Sequence, residues 1–177
     1  MGMKRGLIWL PLALFALLFG VVASGLVKPT DHVVHSGMVG KQVPKFSLPP
    51  IIASKPGVGS AVLAQGQPRL LNIFASWCIP CIAEAPQLVR IRAAGVPIEG
   101  IAIRDTGPAI TDFLKRNGDP YERIGSDVDS SVQIALGSSG VPESFVVDGH
   151  GKIVLQHVGD IRAEDVAGIV AAVKNAQ

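Results

Sequence analysis

Charge is scarce in this chain. Only 17% of its 177 residues are Asp, Glu, Lys or Arg, and they nearly cancel to a formal net charge of +2. No run of Lys or Arg occurs, and basic residues do not alternate with aromatics, so the footprint that nucleic-acid binding needs is missing. Cysteine is scarcer still, with only Cys78 and Cys81 present. Two neighbouring cysteines cannot staple distant loops, and a bridge between them would restrain the unfolded chain little. A four-ligand zinc site is short of thiols, and His32, His35, His150 and His157 lack ligand spacing around the pair. The pair is there for chemistry. Internal repeats and a second globular domain are also absent.

What is abundant is apolar residues, 48% of the chain, and most of the excess lies at the front. Lys4 and Arg5 precede an uncharged run from Leu7 to Val27. At ~1.5 Å per residue this run is long enough to cross a hydrocarbon core of ~30 Å. It shows no polar face, unlike an ordinary core helix. Its length favours an uncleaved signal anchor over residues 1–27 that crosses the bilayer through residues 7–27. A cleavable signal ending near Val21-Val22-Ala23 is the other reading. The two basic residues keep the N-terminus cytoplasmic, which exports the remainder in either case.

Residues 28–39 are polar and aperiodic and read as a tether; residues 40–177 read as one domain. Phe46 and Leu48 alternate as in a short strand, and residues 53–68 read as a loop or irregular hairpin. Leu70–Phe74 is an apolar run suited to a strand buried on both faces. A helix is expected from Cys78 to about Ala94, bent at Pro86. Ile98–Ile103 predicts a strand, Thr106–Asn117 a helix stopped by Gly118, and Asp129–Leu136 a short helix. Val141–Asp148 and Lys152–His157 pair as a hairpin around Gly149-His150-Gly151, and Ala163–Lys174 closes the chain as an amphipathic helix. Alternation followed by a hairpin implies an α/β fold, a mixed sheet with helices on both sides.

Trp77-Cys78-Ile79-Pro80-Cys81 falls between a buried strand and a helix. The helix N-terminus offers unpaired amides and partial positive charge, which would stabilise a thiolate at Cys78. Cys81, one turn on, can attack a mixed disulfide formed at Cys78. Glu84 lies on nearly the same helix face, where a carboxylate either opposes thiolate formation or accepts the proton of Cys81. A solvated helix carboxylate is the plainer reading of Glu84, and a surface salt bridge that of Glu143. Asp160 reads equally well as a turn residue, and Trp77 as an exposed platform beside the thiols or as core packing.

From about Gly40 to Val173 the chain resembles the thioredoxin superfamily, and within it the reductase of bacterial cytochrome c maturation (the CcmG/DsbE family). The matching pieces are LLNIFASWCIPC, Glu84-Ala85-Pro86, Asn117 to Tyr121, Gly140-Val141-Pro142-Glu143-Ser144-Phe145, Asp148 to Gly151, and His157-Val158-Gly159-Asp160. The resemblance implies a thioredoxin-like fold with Cys78 as attacking and Cys81 as resolving thiol. It places Pro142 in a cis bond after Val141, facing the cysteines, where backbone groups pair with an extended substrate. Glu84, Glu143 and Asp160 match acidic residues that tune the site. Asn72 stands where thioredoxin has a buried aspartate, so that proton acceptor is missing. The implied activity is a periplasmic thiol–disulfide oxidoreductase, anchored in the inner membrane by a single pass. It keeps the haem-attachment thiols of apocytochrome c, or of a partner thiol protein, reduced with electrons from a membrane dithiol carrier. A general reductase or oxidase of the same fold, or a non-catalytic apocytochrome-binding module, are the alternatives. No cofactor, metal or nucleic acid is called for, and a monomer is expected.

Overall fold

The computed structural model describes residues 9–26 and 37–176, which divide into an N-terminal unit and a larger body. The first unit holds helix α1, Leu10–Leu26, 17 residues without a charge. Leu10, Leu14, Phe15, Leu17, Leu18 and Phe19 are all exposed on it, so it has no polar face to turn outward. No helix among the described residues is long and apolar enough to cross a membrane. Leu7, Ile8 and Val27, which complete the expected span, and most of the expected tether lie outside the described residues. The body begins slightly before Gly40: Met38 packs against the core, and Gly40 N–H donates to the carbonyl of Ile153 at 2.8 Å.

A five-stranded sheet organises this body: β3 (Arg69–Phe74), β4 (Ile98–Ile103), β5 (Arg123–Asp127), β6 (Glu143–Val147) and β7 (Ile153–Val158), in the order β5-β4-β3-β6-β7. Strands β3, β4 and β5 run parallel, whereas β6 pairs antiparallel with β3 and β7 antiparallel with β6. Every residue of β3, β4 and β6 is buried, as expected of strands covered on both faces. The flanking helices are α3 (Ile79–Ala93), α4 (Gly107–Asn117), α5 (Ser131–Ala135) and α6 (Asp165–Asn175). Helix α4 starts at Thr106, whose hydroxyl accepts from Ala109 N–H, and stops at Gly118 with φ of +96°. It buries Ile110, Phe113 and Leu114, each worth ~1.5–3 kcal/mol relative to exposure.

Strand β5 is the element absent from the expected order. Arg123-Ile124-Gly125-Ser126-Asp127 carries a single large apolar residue, so neither periodicity nor an apolar run marks it. Tertiary context supplies what the segment lacks. A small ribbon, β1 (Ser47–Leu48) with β2 (Val58–Gly59), leads into the short helix α2 (Ser60–Leu63) and covers the β5 edge. Leu48 seats over Gly125, and the carbonyls of Pro49 and Pro56 accept from Ser126 and Ile124 N–H. Residues 40–43 cover the start of β7 in the same way. The β5 edge and the start of the β7 edge are thereby covered against pairing with another chain.

Candidate active site

Parallel strands β3 and β4 end side by side, and the loops leaving them brace each other. Asp105 accepts from the Ser76 N–H at 2.6 Å and the Ser76 hydroxyl at 2.9 Å. Trp77 Nε1–H donates to the Arg104 carbonyl at 3.2 Å, leaving the indole 56% exposed beside the cysteines. Trp77 is thus a platform, not core packing. Nothing about Arg104 or Asp105 in the sequence marks them as supports, because the contact needs two loops separated by a whole helix.

Cys78 caps helix α3: its Sγ accepts from Cys81 N–H at 3.2 Å, and Pro80 sits in the first turn, where no amide proton is required. The two cysteines form a disulfide with Cα atoms 5.2 Å apart. Cys78 is 4% exposed and Cys81 1%, so in this oxidised state even Cys78, the cysteine expected to attack, is almost covered. Released as a thiolate, Cys78 lies at the positive end of α3.

Cys81, Glu84, Ala85, Leu88 and Ile91 form the buried face of α3, with Pro86 inside the helix. Glu84 is therefore not a solvated carboxylate; it is 1% exposed. Its Oε1 accepts from Asn72 Nδ2 at 3.0 Å and its Oε2 from Ile161 N–H at 3.2 Å. Burial raises its pKa to about 7, against the opposing pull of these two donors; the nearby charge of Asp160 pushes the same way as burial. A carboxyl group near neutrality, one turn from Cys81 on the same face, can take up or release a proton of that thiol.

Asn72 occupies the middle of the sheet, opposite Gly100 on β4 and Ser144 on β6. It donates to the Ser144 hydroxyl at 3.0 Å as well as to Glu84, and its Oδ1 accepts from the Tyr121 hydroxyl at 2.8 Å. Sequence reading singles out neither Ser144 nor Tyr121 as a partner of this carboxylate. The one available signal was Asn72 itself, a polar residue inside an apolar strand.

Glu143 is buried too, but it belongs to a different cluster. It precedes Ser144 by one step on β6, so its side chain points to the opposite sheet face. There it accepts from the Ser138 hydroxyl at 2.8 Å, from Ser139 N–H at 2.9 Å and from Gln156 Nε2. It is no surface salt bridge, and it does not join Glu84. Instead it holds the Ser138–Gly140 loop ahead of the Val141–Pro142 peptide, which is cis. That loop, Val141, Trp77 and Ile134 line a cavity of about 320 Å³ next to the disulfide. Asp160 follows the turn at Gly159, where it faces Arg162 at 3.6 Å.

Comparison with known proteins agrees with this construction. The Redoxin family model matches residues 38–173. Thiol:disulfide interchange protein HelX of Rhodobacter capsulatus is 35% identical over 164 residues, 93% of this chain and 92% of that protein. Thiol:disulfide interchange protein DsbE of Escherichia coli K12 is 34% identical over 165 residues, 90% of this chain and 88% of that protein. Among solved structures, a thiol:disulfide interchange protein of the thioredoxin family from Chlorobium tepidum superposes with a TM-score of 0.62 at 26% identity, covering 80% of this chain and 99% of that one. With its thioredoxin-like fold and capped cysteine pair, the chain belongs to the Redoxin family and, within it, to the DsbE/HelX group of thiol–disulfide oxidoreductases.

Proposed function

We propose that the protein is a periplasm-facing reductase of cytochrome c biogenesis, held in the inner membrane by the apolar segment 7–27. The observation that carries the direction of electron flow is the buried carboxyl of Glu84 one turn beyond Cys81. A strong dithiol oxidant owes its potential to a stabilised reduced form, which a stabilised thiolate provides. Glu84, with Asp160 nearby, opposes thiolate formation and so favours giving electrons away.

In the forward cycle the Cys78 thiolate attacks a substrate disulfide. One Cys78–substrate bond forms, the substrate S–S bond breaks, and one substrate thiolate leaves and takes a proton. Glu84 then accepts the Cys81 proton, and the Cys81 sulfur attacks Cys78. The mixed disulfide breaks, the second substrate thiol departs, and the Cys78–Cys81 disulfide remains. Two electrons pass to the substrate with two protons, one from Cys81 by way of Glu84 and one from solvent, and a membrane dithiol carrier resets the pair. An apocytochrome c haem-attachment segment, or a thiol protein that serves it, is the substrate that the resemblance to the cytochrome c maturation reductases favours. The groove by Trp77, Ile134 and Val141 gives an extended segment a place to lie.

Redox equilibration with glutathione tests the direction. The expected potential lies nearer thioredoxin, at about −270 mV, than the strong periplasmic oxidants at about −120 mV, and a value near the latter overturns the reading. A reduced Cys81→Ser chain should trap a Cys-x-x-Cys-His peptide, supplied as its disulfide, as a mixed disulfide on Cys78.

A further inference from the structure

The side-chain amide of Asn72 has one acceptor and two donors, and all are used within a sealed cluster. Tyr121 O–H donates to Oδ1, while Nδ2 donates to Glu84 and to Ser144. Asn72, Glu84 and Ser144 are at most 1% exposed and Tyr121 only 4%.

Consider the amide turned over. Oδ1 would then face Glu84, which is tolerable only when Glu84 carries a proton to donate. The Ser144 hydroxyl rotates to suit either arrangement. Tyr121 does not adapt so easily: with Nδ2 pointing at its oxygen, its proton loses the acceptor it has, in a place where an unmade hydrogen bond is costly. Its donation to Oδ1 therefore biases the amide to present N–H to Glu84, the arrangement that suits the carboxylate.

The fold goes to some length to bring this hydroxyl here. Gly100 is the strand neighbour of Asn72, and a Cβ on it would come within 2.9 Å of the Phe74 ring and 3.0 Å of the Tyr121 ring. Through that gap the Tyr121 ring stacks on Phe74 with centroids 4.6 Å apart. Lys55 fixes the backbone, donating to the Tyr121 carbonyl while pairing with Asp119 at 2.9 Å.

We propose that Tyr121 is a positioning residue for the exchange reaction, orienting Asn72 so that Glu84 is held as a proton acceptor and not as a donor. The proposal rests on the reading of Glu84 as the acceptor for Cys81. Other groups facing the cluster are Asp160 and the Ile161 N–H from the segment after β7, Asp119, whose charge acts on Tyr121, and Cys81 on the buried face of α3.

The test follows the Glu84 carboxyl by carbon-13 NMR against pH in the full-length oxidised chain, kept dissolved by mild detergent and assigned with Glu84→Gln. Tyr121→Phe should raise the Glu84 midpoint by about one pH unit, a tenfold change in its protonated-to-ionised ratio at fixed pH. Tyr121 is the chain's sole tyrosine, so 3-fluorotyrosine labels it alone and makes its hydroxyl a stronger donor. That substitution should move the midpoint downward. Opposite shifts support the proposal; no shift in either, or shifts of the same sign, overturn it. Should Tyr121→Phe fail to fold, the fluorotyrosine arm decides alone, and an unmoved midpoint overturns. The pH–rate profile of Glu84→Gln reports separately: if it matches that of wild type, the acceptor reading of Glu84 fails, whatever the titrations show for Tyr121.

Discussion

Asn72 Nδ2 and Glu84 Oε1 lie 3.0 Å apart, joining the central strand β3 to the helix that carries both cysteines. Asn72 cannot take a proton, so the strand position that is a buried aspartate in thioredoxin is chemically silent here. The carboxylate comes from α3 instead, one turn beyond Cys81. Acid–base capacity has moved from the strand to the helix, and the strand residue has become its hydrogen-bond donor.

Burial of Glu84 makes stability depend on pH in a definite direction. Its pKa rises from the usual 4.5 to about 7, so the folded chain binds more protons than the unfolded one between those values. The contribution is fully present below pH 4.5 and is lost as pH rises through 7, by about 3 kcal/mol at ~1.4 kcal/mol per pH unit. Denaturant melts of the oxidised chain between pH 4 and 8 should show this fall in wild type and a flatter profile in Glu84→Gln. Parallel profiles would mean that Glu84 has the same pKa in the folded and unfolded chain.

Arg69 and Glu99 form a second buried pair, 2.5 Å apart at the start of β3, away from the cysteines. Glu99 is fully covered, its Oε2 has no partner, and burial raises its pKa while Arg69 opposes the rise. Arg69→Met should cost about 3–5 kcal/mol, because the remaining carboxylate is stranded. The loss should deepen as pH rises and Glu99 ionises. Arg69→Met with Glu99→Met should recover most of it; a double variant as weak as the single would assign the loss to packing.

The proposed anchor makes a prediction of its own. Full-length chain should stay with the membrane fraction after high-salt washing, since its attachment is apolar and not screened by ions. A soluble product beginning near Ser24 would instead show that the segment is removed.

The sequence by itself determined the elements that carry their own signal. The apolar runs of β3 and β4 give buried strands wherever they are placed, and Thr106 and Gly118 bound α4 by local hydrogen bonding and backbone freedom. The Trp77–Cys81 motif likewise specified its chemistry, because a cysteine at a helix N-terminus gains from amides that belong to the same short segment. Strand β5 was beyond local reading, since Leu48 and two proline carbonyls from elsewhere in the chain complete it. The division of the acidic residues also lay with tertiary structure. Glu84 and Glu143 read alike in sequence, yet strand alternation and register put Ser144 under Asn72 and turn Glu143 to the other face. What decided the cluster around Glu84 was the crossing of four separate segments at one point of the sheet. A gap at Gly100 admits Tyr121 there, and such a gap exists only once β3 and β4 lie in register.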